Sequence, residues 1–242
     1  MRMDNWTQRT ELLVGKDGLD KLKKSAVLIV GLGGVGGMAA EMICRAGVGR
    51  MTIIDRDEVS HTNINRQIAA LNSTVGEKKS GVIADRLKDI NPEMELTELS
   101  EWLDEENTEK ILDEGKFDFV VDAIDTLSPK VFLIKTCVEK CIPIVSSMGS
   151  GAKMDPSKVT IADIAKTTYC PLAKAVRQRL SKLGIKQGVA VVYSTESADK
   201  SSVMLTEGEQ YKKSTTGTIS YMPALFGLYL ASHVIRELIK TD

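Results

Sequence analysis

Ala26-Val-Leu-Ile-Val30, then Gly31-Leu-Gly-Gly-Val-Gly-Gly37, and later Met51-Thr-Ile-Ile-Asp55, together decide the fold. The first run is short, apolar and rich in β-branched residues, the pattern of a strand buried on both faces. The glycines follow at once. Met38–Ala46 then reads as a helix with the small residues Ala39 and Ala40 near its start, and Met51–Asp55 as a second strand. The opening is therefore a βαβ unit.

The alternation continues outward from this unit. The spacing predicts helices over Lys79–Ile90, Asn107–Asp113 and Pro129–Lys140, and strands over Glu95–Leu99, Phe117–Ala123 and Ile142–Ser147. Beyond these, Val159–Ile164 and Val189–Ser194 read as strands. Pro171–Leu183 and a closing segment from about Pro223 to Lys240 read as helices. Ala198–Thr216 is polar and reads as a mobile loop. Strands alternating with helices imply an α/β, Rossmann-like doubly wound, mostly parallel sheet. No repeat or linker divides the chain, so one domain is expected over 1–242. Its nucleotide-binding half would cover about 20–150, its substrate side about 151–242.

Composition narrows the function. The 242 residues are 43% hydrophobic and 27% charged, and 32 Lys+Arg against 33 Asp+Glu leave a net charge of −1. That excludes wholesale disorder and a polycation, so any nucleic-acid contact must come from a local patch. The apolar stretch Ile219–Ala231 is broken by Ser220 and Pro223 and is shorter than the roughly 20 residues that span a bilayer. It reads as a core helix, and no membrane is expected. Four cysteines, no Cys-x-x-Cys pair and two histidines argue against a structural zinc site. The N-terminus lacks the apolar run of a signal peptide, so a reducing cytoplasm is expected.

Gly31, Gly33 and Gly36 satisfy G-x-G-x-x-G between a strand and a helix. Glycines let the backbone turn tightly and approach a phosphate, and the helix N-terminus supplies free N–H groups. Asp55 stands at the end of the next strand, where an acid binds ribose hydroxyls. On this evidence alone an NAD(P)-binding oxidoreductase is the default, and a ligand-free glycine turn is the plainer alternative.

The residues after Asp55 favour ATP. Asn63, Arg66 and Gln67 cluster there, and Arg66 can grip phosphate oxygens in a forked, charge-assisted way. Lys79 stands at the mouth of a helix, where a cation is disfavoured by the dipole unless a ligand faces it. An exposed lysine is the bland alternative, and Lys78 is its neighbour. Asp125 falls just past a strand's carboxyl end; beside phosphates it needs a cation, and Mg²⁺ is the usual one. Asp122 reads as structural.

These pieces closely resemble the ubiquitin-activating-type adenylating enzymes, the ThiF/MoeB/HesA superfamily. The match comprises Gly31-Leu-Gly-Gly-Val-Gly, Arg45-Ala-Gly-Val-Gly, Asp55-x-Asp57, Asn63-x-x-Arg66-Gln67, Gly76-x-x-Lys79 and Asp122-x-x-Asp125. The resemblance implies an adenylating fold that binds ATP through Gly31, Gly33, Gly34, Asp55, Asp57, Asn63, Arg66, Gln67, Lys79 and Asp125. It implies Asp55 on the ribose, and Asn63, Arg66 and Lys79 on the phosphates. Asp125 would serve Mg²⁺ and the adenylation chemistry, with Arg66, Lys79 and Asp125 as the catalytic set. Arg9 matches an N-terminal arginine that reaches the ATP of the partner subunit in homodimers; a solvated arginine is the alternative.

Members that adenylate the C-terminal glycine of a ubiquitin-like sulfur carrier typically hold zinc on two Cys-x-x-Cys pairs, absent here. The second half instead resembles the tRNA threonylcarbamoyladenosine dehydratase branch, through Ser147-Met-Gly-Ser-Gly151, Asp155-Pro156, Asp163-Ile-Ala-Lys166-Thr, Cys170-Pro-Leu-Ala173, Ser194-Thr-Glu196 and Thr216-Gly-Thr-Ile-Ser-Tyr-Met-Pro223. That resemblance implies ATP-dependent cyclisation of the modified adenosine through an acyl adenylate. Its partners would be tRNA carrying threonylcarbamoyladenosine, a second copy of the chain, and a cysteine desulfurase or sulfur-acceptor system. A sulfur-carrier-activating enzyme without zinc is the alternative. No thioester-forming cysteine is required, and Cys170 reads as a buried or capping thiol.

Ala165–Thr195 holds Lys166, Lys174, Arg177, Arg179, Lys182 and Lys186 and no Asp or Glu. Leu172, Val176, Leu180 and Leu183 would form the buried face of its helix, leaving bases for tRNA phosphates. Lys166, Lys174, Arg177, Arg179 and Lys182 are the candidate tRNA contacts, and the Ala198–Thr216 loop, with Lys200, Lys212 and Lys213, could order on tRNA. An ordinary solvated basic face is the bland alternative.

Overall fold

Five consecutive buried residues make β1 (Ala26–Val30) the centre of the molecule. The computed structural model describes residues 5–205 and 214–240. A helix, α1 (Gln8–Lys24), precedes β1, and α2 (Gly36–Arg45) and β2 (Arg50–Ile54) complete the expected βαβ unit. Then follow α3 (Lys79–Ile90), β3 (Glu95–Leu99), α4 (Glu105–Gly115), β4 (Phe119–Asp122), α5 (Leu127–Glu139) and β5 (Ile144–Ser147). The remainder comprises β6 (Val159–Asp163), α6 (Pro171–Lys182), β7 (Ala190–Ser194), β8 (Val203–Leu205), β9 (Ser214–Thr216) and α7 (Tyr221–Leu238).

The seven-stranded sheet has the order β3-β2-β1-β4-β5-β7-β6. Every pairing is parallel except β6 with β7. One core layer lies between the sheet and α2, α3 and α7, the other between the sheet and α5 and α6. This is the expected doubly wound architecture. The chain leaves β1 toward β2 on one side and enters β4 on the other, so a crevice opens beyond the carboxyl ends of β1 and β4.

Two expectations change. Helix α1 has no counterpart in the sequence reading. It buries only Gly18, Leu19 and Leu22, and Gly15 (φ +75°) kinks it, so no continuous apolar stripe betrays it. The stretch read as a mobile loop over Ala198–Thr216 contains the antiparallel pair β8–β9, and its residues 206–213, with Lys212 and Lys213, lie outside the described residues. Elsewhere boundaries move slightly. Helix α4 begins before Asn107 because Asp104 caps it: its carboxylate accepts from Asn107 N–H at 2.9 Å, and Asn107 Oδ1 accepts from Asp104 N–H at 2.9 Å.

Helix α7 packs against the glycine turn and the start of α2. A Cβ on Gly227 would stand 2.4 Å from the Val35 carbonyl oxygen, so glycine alone lets α7 pack on the start of α2. No described helix is long and apolar enough to cross a membrane.

Lys130 on α5 is fully buried. Its ammonium donates to Asp122 Oδ2 at 2.7 Å, Ser146 Oγ at 3.1 Å and the Ser147 carbonyl at 2.9 Å. Asp122 also accepts from Ser146 Oγ at 2.6 Å and, through Oδ1, from Ile124 N–H at 3.0 Å. Asp122 is thus structural, as expected. Removing one partner strands a buried charge, at a cost of about 3–5 kcal/mol. Lys130→Met is expected to lose about that much in urea denaturation, and Asp122→Leu combined with Lys130→Met to regain most of it. Additive losses in the double variant would refute the coupling.

Candidate functional site

The glycine turn is built by backbone crowding. Gly31 has φ +88° and its N–H donates to the Ile54 carbonyl at 2.8 Å, which locks the turn to β2. A Cβ on Gly36 would meet the Gly31 carbonyl oxygen at 1.7 Å. A Cβ on Gly34 would stand 2.9 Å from both the Arg66 carbonyl oxygen and Pro223 Cβ. No side chain caps the N-terminus of α2, and Gly33, Gly34 and Val35 just before it line the crevice. The turn thus offers N–H donors and a close backbone approach, as an anion site requires.

The crevice is a cleft of about 1110 Å³. Gly31, Gly33, Gly34, Asp55, Asp57, Asn63, Arg66, Gln67, Lys79 and Asp125 all line it, so the structure gathers every expected nucleotide residue except Arg9. Arg9 is exposed on α1 and does not line the cleft of its own chain.

Asp55 is held from both sides: Oδ2 accepts from Leu32 N–H at 2.6 Å, and Oδ1 from Asp57 N–H at 2.8 Å. Burial pushes its carboxyl above the ordinary aspartate range, against the pull of Lys79 and these amides. The two neighbouring lysines differ in placement. Lys79 is 6% exposed and reaches Asp57 Oδ2 at 3.0 Å, whereas Lys78 is exposed and donates to Ser100 Oγ at 3.1 Å, outside the cleft.

Asn63 is buried, and its Oδ1 accepts from Ser60 N–H at 3.2 Å, while its Nδ2 donates to no described residue. Arg66 is half-buried and donates to the Thr62 carbonyl and to Asn65 Oδ1, both at 2.8 Å. Gln67 Oε1 is a buried acceptor with no partner among the described residues. Asp125 is exposed at the cleft rim, in the turn that Asp122 and Lys130 hold. No cluster of three or more His, Cys, Asp or Glu side chains suited to a metal occurs among the described residues.

Sequence reading missed several cleft residues. Arg56 lies with its guanidinium carbon 3.9 Å from the Trp102 ring centroid, a flat cation–π platform on one wall. Lys153 and Cys170 line the opposite end. Cys170 is buried at the N-cap position of α6 but makes no capping hydrogen bond, so it is the buried thiol expected and not a cap. Position after a parallel strand's carboxyl end was the available signal for Lys153, in the loop that follows β5.

The basic segment is partly as expected. Lys166, Lys174, Arg179 and Lys182 are exposed. Arg177 is not a free base: Nη1 donates to the Thr167 carbonyl at 3.0 Å and to Thr167 Oγ1, so it holds the turn before α6. Leu183 is 49% exposed and does not belong to the buried face, which Ala173 completes instead. A surface depression of about 670 Å³ is lined by Arg177, Gln178, Ser181, Lys182 and Lys186. Arg179 Nη1 donates to Ser128 Oγ at 2.8 Å, which ties α6 to the start of α5 near the cleft.

If Lys79 is the lysine that meets phosphates, Lys79→Ala is expected to weaken ATP binding by about 10- to 100-fold, the worth of one or two charge-assisted hydrogen bonds. Lys78→Ala is expected to stay within about twofold, since its ammonium lies outside the cleft. Calorimetric titration of both variants with ATP checks this, and equal losses would refute the assignment.

The ThiF family profile matches residues 7–242. A Bacillus subtilis (strain 168) tRNA threonylcarbamoyladenosine dehydratase is 43% identical over 96% of this chain and 94% of its own. The Escherichia coli (strain K12) enzyme of that name is 36% identical over 97% of this chain and 95% of its own. The crystal structure of the E. coli dehydratase TcdA in complex with ATP is similar at a TM-score of 0.87 and 34% identity, covering 99% of this chain and 97% of that one.

Proposed function

The chain belongs to the ThiF family, and on that footing we propose that it is an ATP-dependent tRNA threonylcarbamoyladenosine dehydratase. The observation that carries the reading is the single cleft uniting the glycine turn, Asp55, Arg66, Lys79 and Asp125. The relatives that span nearly the whole chain carry this activity in their names, and one binds ATP in a fold of the same shape. Neither sulfur-carrier activation nor NAD(P)-dependent oxidation is favoured. Hydride transfer leaves Arg66 and Lys79 without a task.

The substrate side chain carries a carboxylate, a poor electrophile because its leaving group would be hydroxide. One carboxylate oxygen attacks the α-phosphorus of ATP, pyrophosphate departs, and an acyl adenylate forms. A nucleophile of the same side chain then attacks the acyl carbon. AMP leaves with the original carboxylate oxygen, and the ring closes with net loss of water. Attack within one molecule needs chiefly positioning. The protein's part is to neutralise charge around the phosphates, through Arg66, Lys79 and the α2 N-terminus.

The cleft fits ATP on three counts. A Cβ would fill the glycine cradle, the first turn of α2 is uncapped, and Gln67 Oε1 is a buried acceptor in want of a donor. Asp55 would hold the ribose, Asn63 with Arg66 and Lys79 the phosphates, and Asp57 would keep Lys79 in place. For Mg²⁺, Asp125 would supply a carboxylate beside the phosphates. When bound, the ion would offset phosphate charge.

The same reading extends to partners. Lys166, Lys174, Arg179 and Lys182 form a basic face beside the cleft, suited to tRNA phosphates, with Arg177 in a supporting role. Exposed Leu12 (81%) and Leu13 (86%) accompany Arg9 on α1, an apolar face consistent with a homodimer in which Arg9 reaches the second copy's ATP. A cytoplasmic setting, one adenylating domain over 1–242 and a sulfur-transfer partner complete the proposal.

The test is pyrophosphate release from Mg-ATP by the purified chain. Release is expected with tRNA bearing threonylcarbamoyladenosine, with a product lighter by one water, and not with the same tRNA unmodified. Release only with a Gly-Gly-ending carrier protein would overturn the reading.

A further inference from the structure

Lys153 is a buried cation that makes no ion pair among the described residues, and it lines the same cleft as the glycine turn and Asp125. It follows β5 in the loop Gly149–Lys153. It is 4% exposed. Its ammonium carries three N–H donors. Among the described residues it makes one hydrogen bond, to the Glu196 carbonyl at 2.8 Å, and no ion pair.

The loop that carries it is fixed from several sides. The Glu196 carboxylate accepts from Met154 N–H at 3.0 Å and Asp155 N–H at 2.9 Å, so it is turned to the backbone beyond Lys153. Ala152 N–H donates to the Gly217 carbonyl at 2.8 Å, and Tyr221 Oη to the Met154 carbonyl at 2.8 Å. Ala152 itself has φ +57°, a left-handed conformation that an alanine adopts only when its surroundings impose it. The result is a rigid mount for one lysine.

Position separates its task from that of Lys79. The sheet order β2-β1-β4-β5 puts Lys79 on the β2 flank of the crevice and Lys153 on the β5 flank. β5 lies two strands from β1, about 10 Å from the glycine turn at ordinary strand spacing. Phosphates seated on that turn leave the β5 flank for the second reactant. That reactant is itself an anion, and its approach to a triphosphate is repulsive unless a cation waits on its side.

We propose that Lys153 receives the substrate carboxylate, holding it by a charge-assisted hydrogen bond while the carboxylate's other oxygen faces the α-phosphorus. The proposal rests on the dehydratase reading for the identity of that carboxylate. Burial holds the Lys153 ammonium below the usual lysine range, against the opposing influence of Cys170 and Glu196. Glu196 is the positioning residue behind it.

The experiment compares the affinity of wild type and Lys153→Met for tRNA with threonylcarbamoyladenosine and for the same tRNA unmodified. A non-hydrolysable α,β-methylene ATP analogue is present throughout. Wild type is expected to prefer the modified tRNA by about tenfold or more, the worth of one charge-assisted hydrogen bond. Lys153→Met is expected to bring that preference within about twofold at unchanged affinity for the analogue. Should this variant fail to bind the analogue, Lys153→Gln is read in its place. A variant that keeps the wild-type preference overturns the proposal, as does a wild type with no preference. Pyrophosphate release by wild type tests the dehydratase reading separately: release without binding preference removes Lys153 from the carboxylate and leaves that reading standing.

Discussion

The cleft depends on how the carboxyl ends of β4 and β5 are held together, and a buried ion pair holds them. Lys130 reaches from α5 to Asp122 at the end of β4, and in the same stroke to Ser146 and Ser147 at the end of β5. Asp122 uses its second oxygen to hold Ile124 N–H, which sets the turn leading to Asp125. Every lone pair and proton of this cluster that matters is matched, the condition under which a buried charge pair is tolerable. Its effect is geometric. It fixes where the Asp125 turn and the loop after β5 leave the sheet.

A second constraint comes from the far end of the chain. The glycine turn is crowded on one side by its own backbone and on the other by α7, through Pro223 at Gly34 and Gly227 at Val35. Asn65 adds a tie from the Arg66 segment, donating to the Thr218 carbonyl at 2.9 Å. The glycine turn is therefore shaped by residues about 190 positions apart in sequence, which explains why glycine is needed at positions where a turn alone would not demand it.

Legibility followed the range of the interactions. Strand β1, the glycine turn and the helix over Lys79–Ile90 were readable because each announces itself locally, by a β-branched run, by glycine spacing or by helical period. Doubly wound topology followed from their alternation. Helix α1 was not readable: it buries three residues, and Gly15 interrupts it. The nucleotide residues were read from motif resemblance, and the structure gathers them in one cleft, save Arg9. Arg177 was misread as a free base because its partner, Thr167, lies in a turn that sequence period does not describe. Lys130 and Lys153 were invisible for a deeper reason. A lysine inside the fold contradicts its usual preference for water, and only tertiary contacts reveal the burial.

The distribution of cations then acquires a logic. A reaction between a triphosphate and a carboxylate must bring two anions together, and at 4 Å such a contact costs about 4 kcal/mol at an effective dielectric of 20. Placing every cation on the phosphates would stabilise ATP and leave the second anion unattended. The chain instead divides its buried lysines across the crevice. Lys79 is paired with Asp57 on the β2 flank. Lys130 is spent on the scaffold. Lys153 alone of the three has no carboxylate within ion-pair distance among the described residues, and it stands on the β5 flank of the cleft. A buried ammonium without an anion is costly, and such a cost persists where binding relieves it. Of the three, the one without an ion pair among the described residues is thus the one that the proposal leaves for an anion from outside the chain.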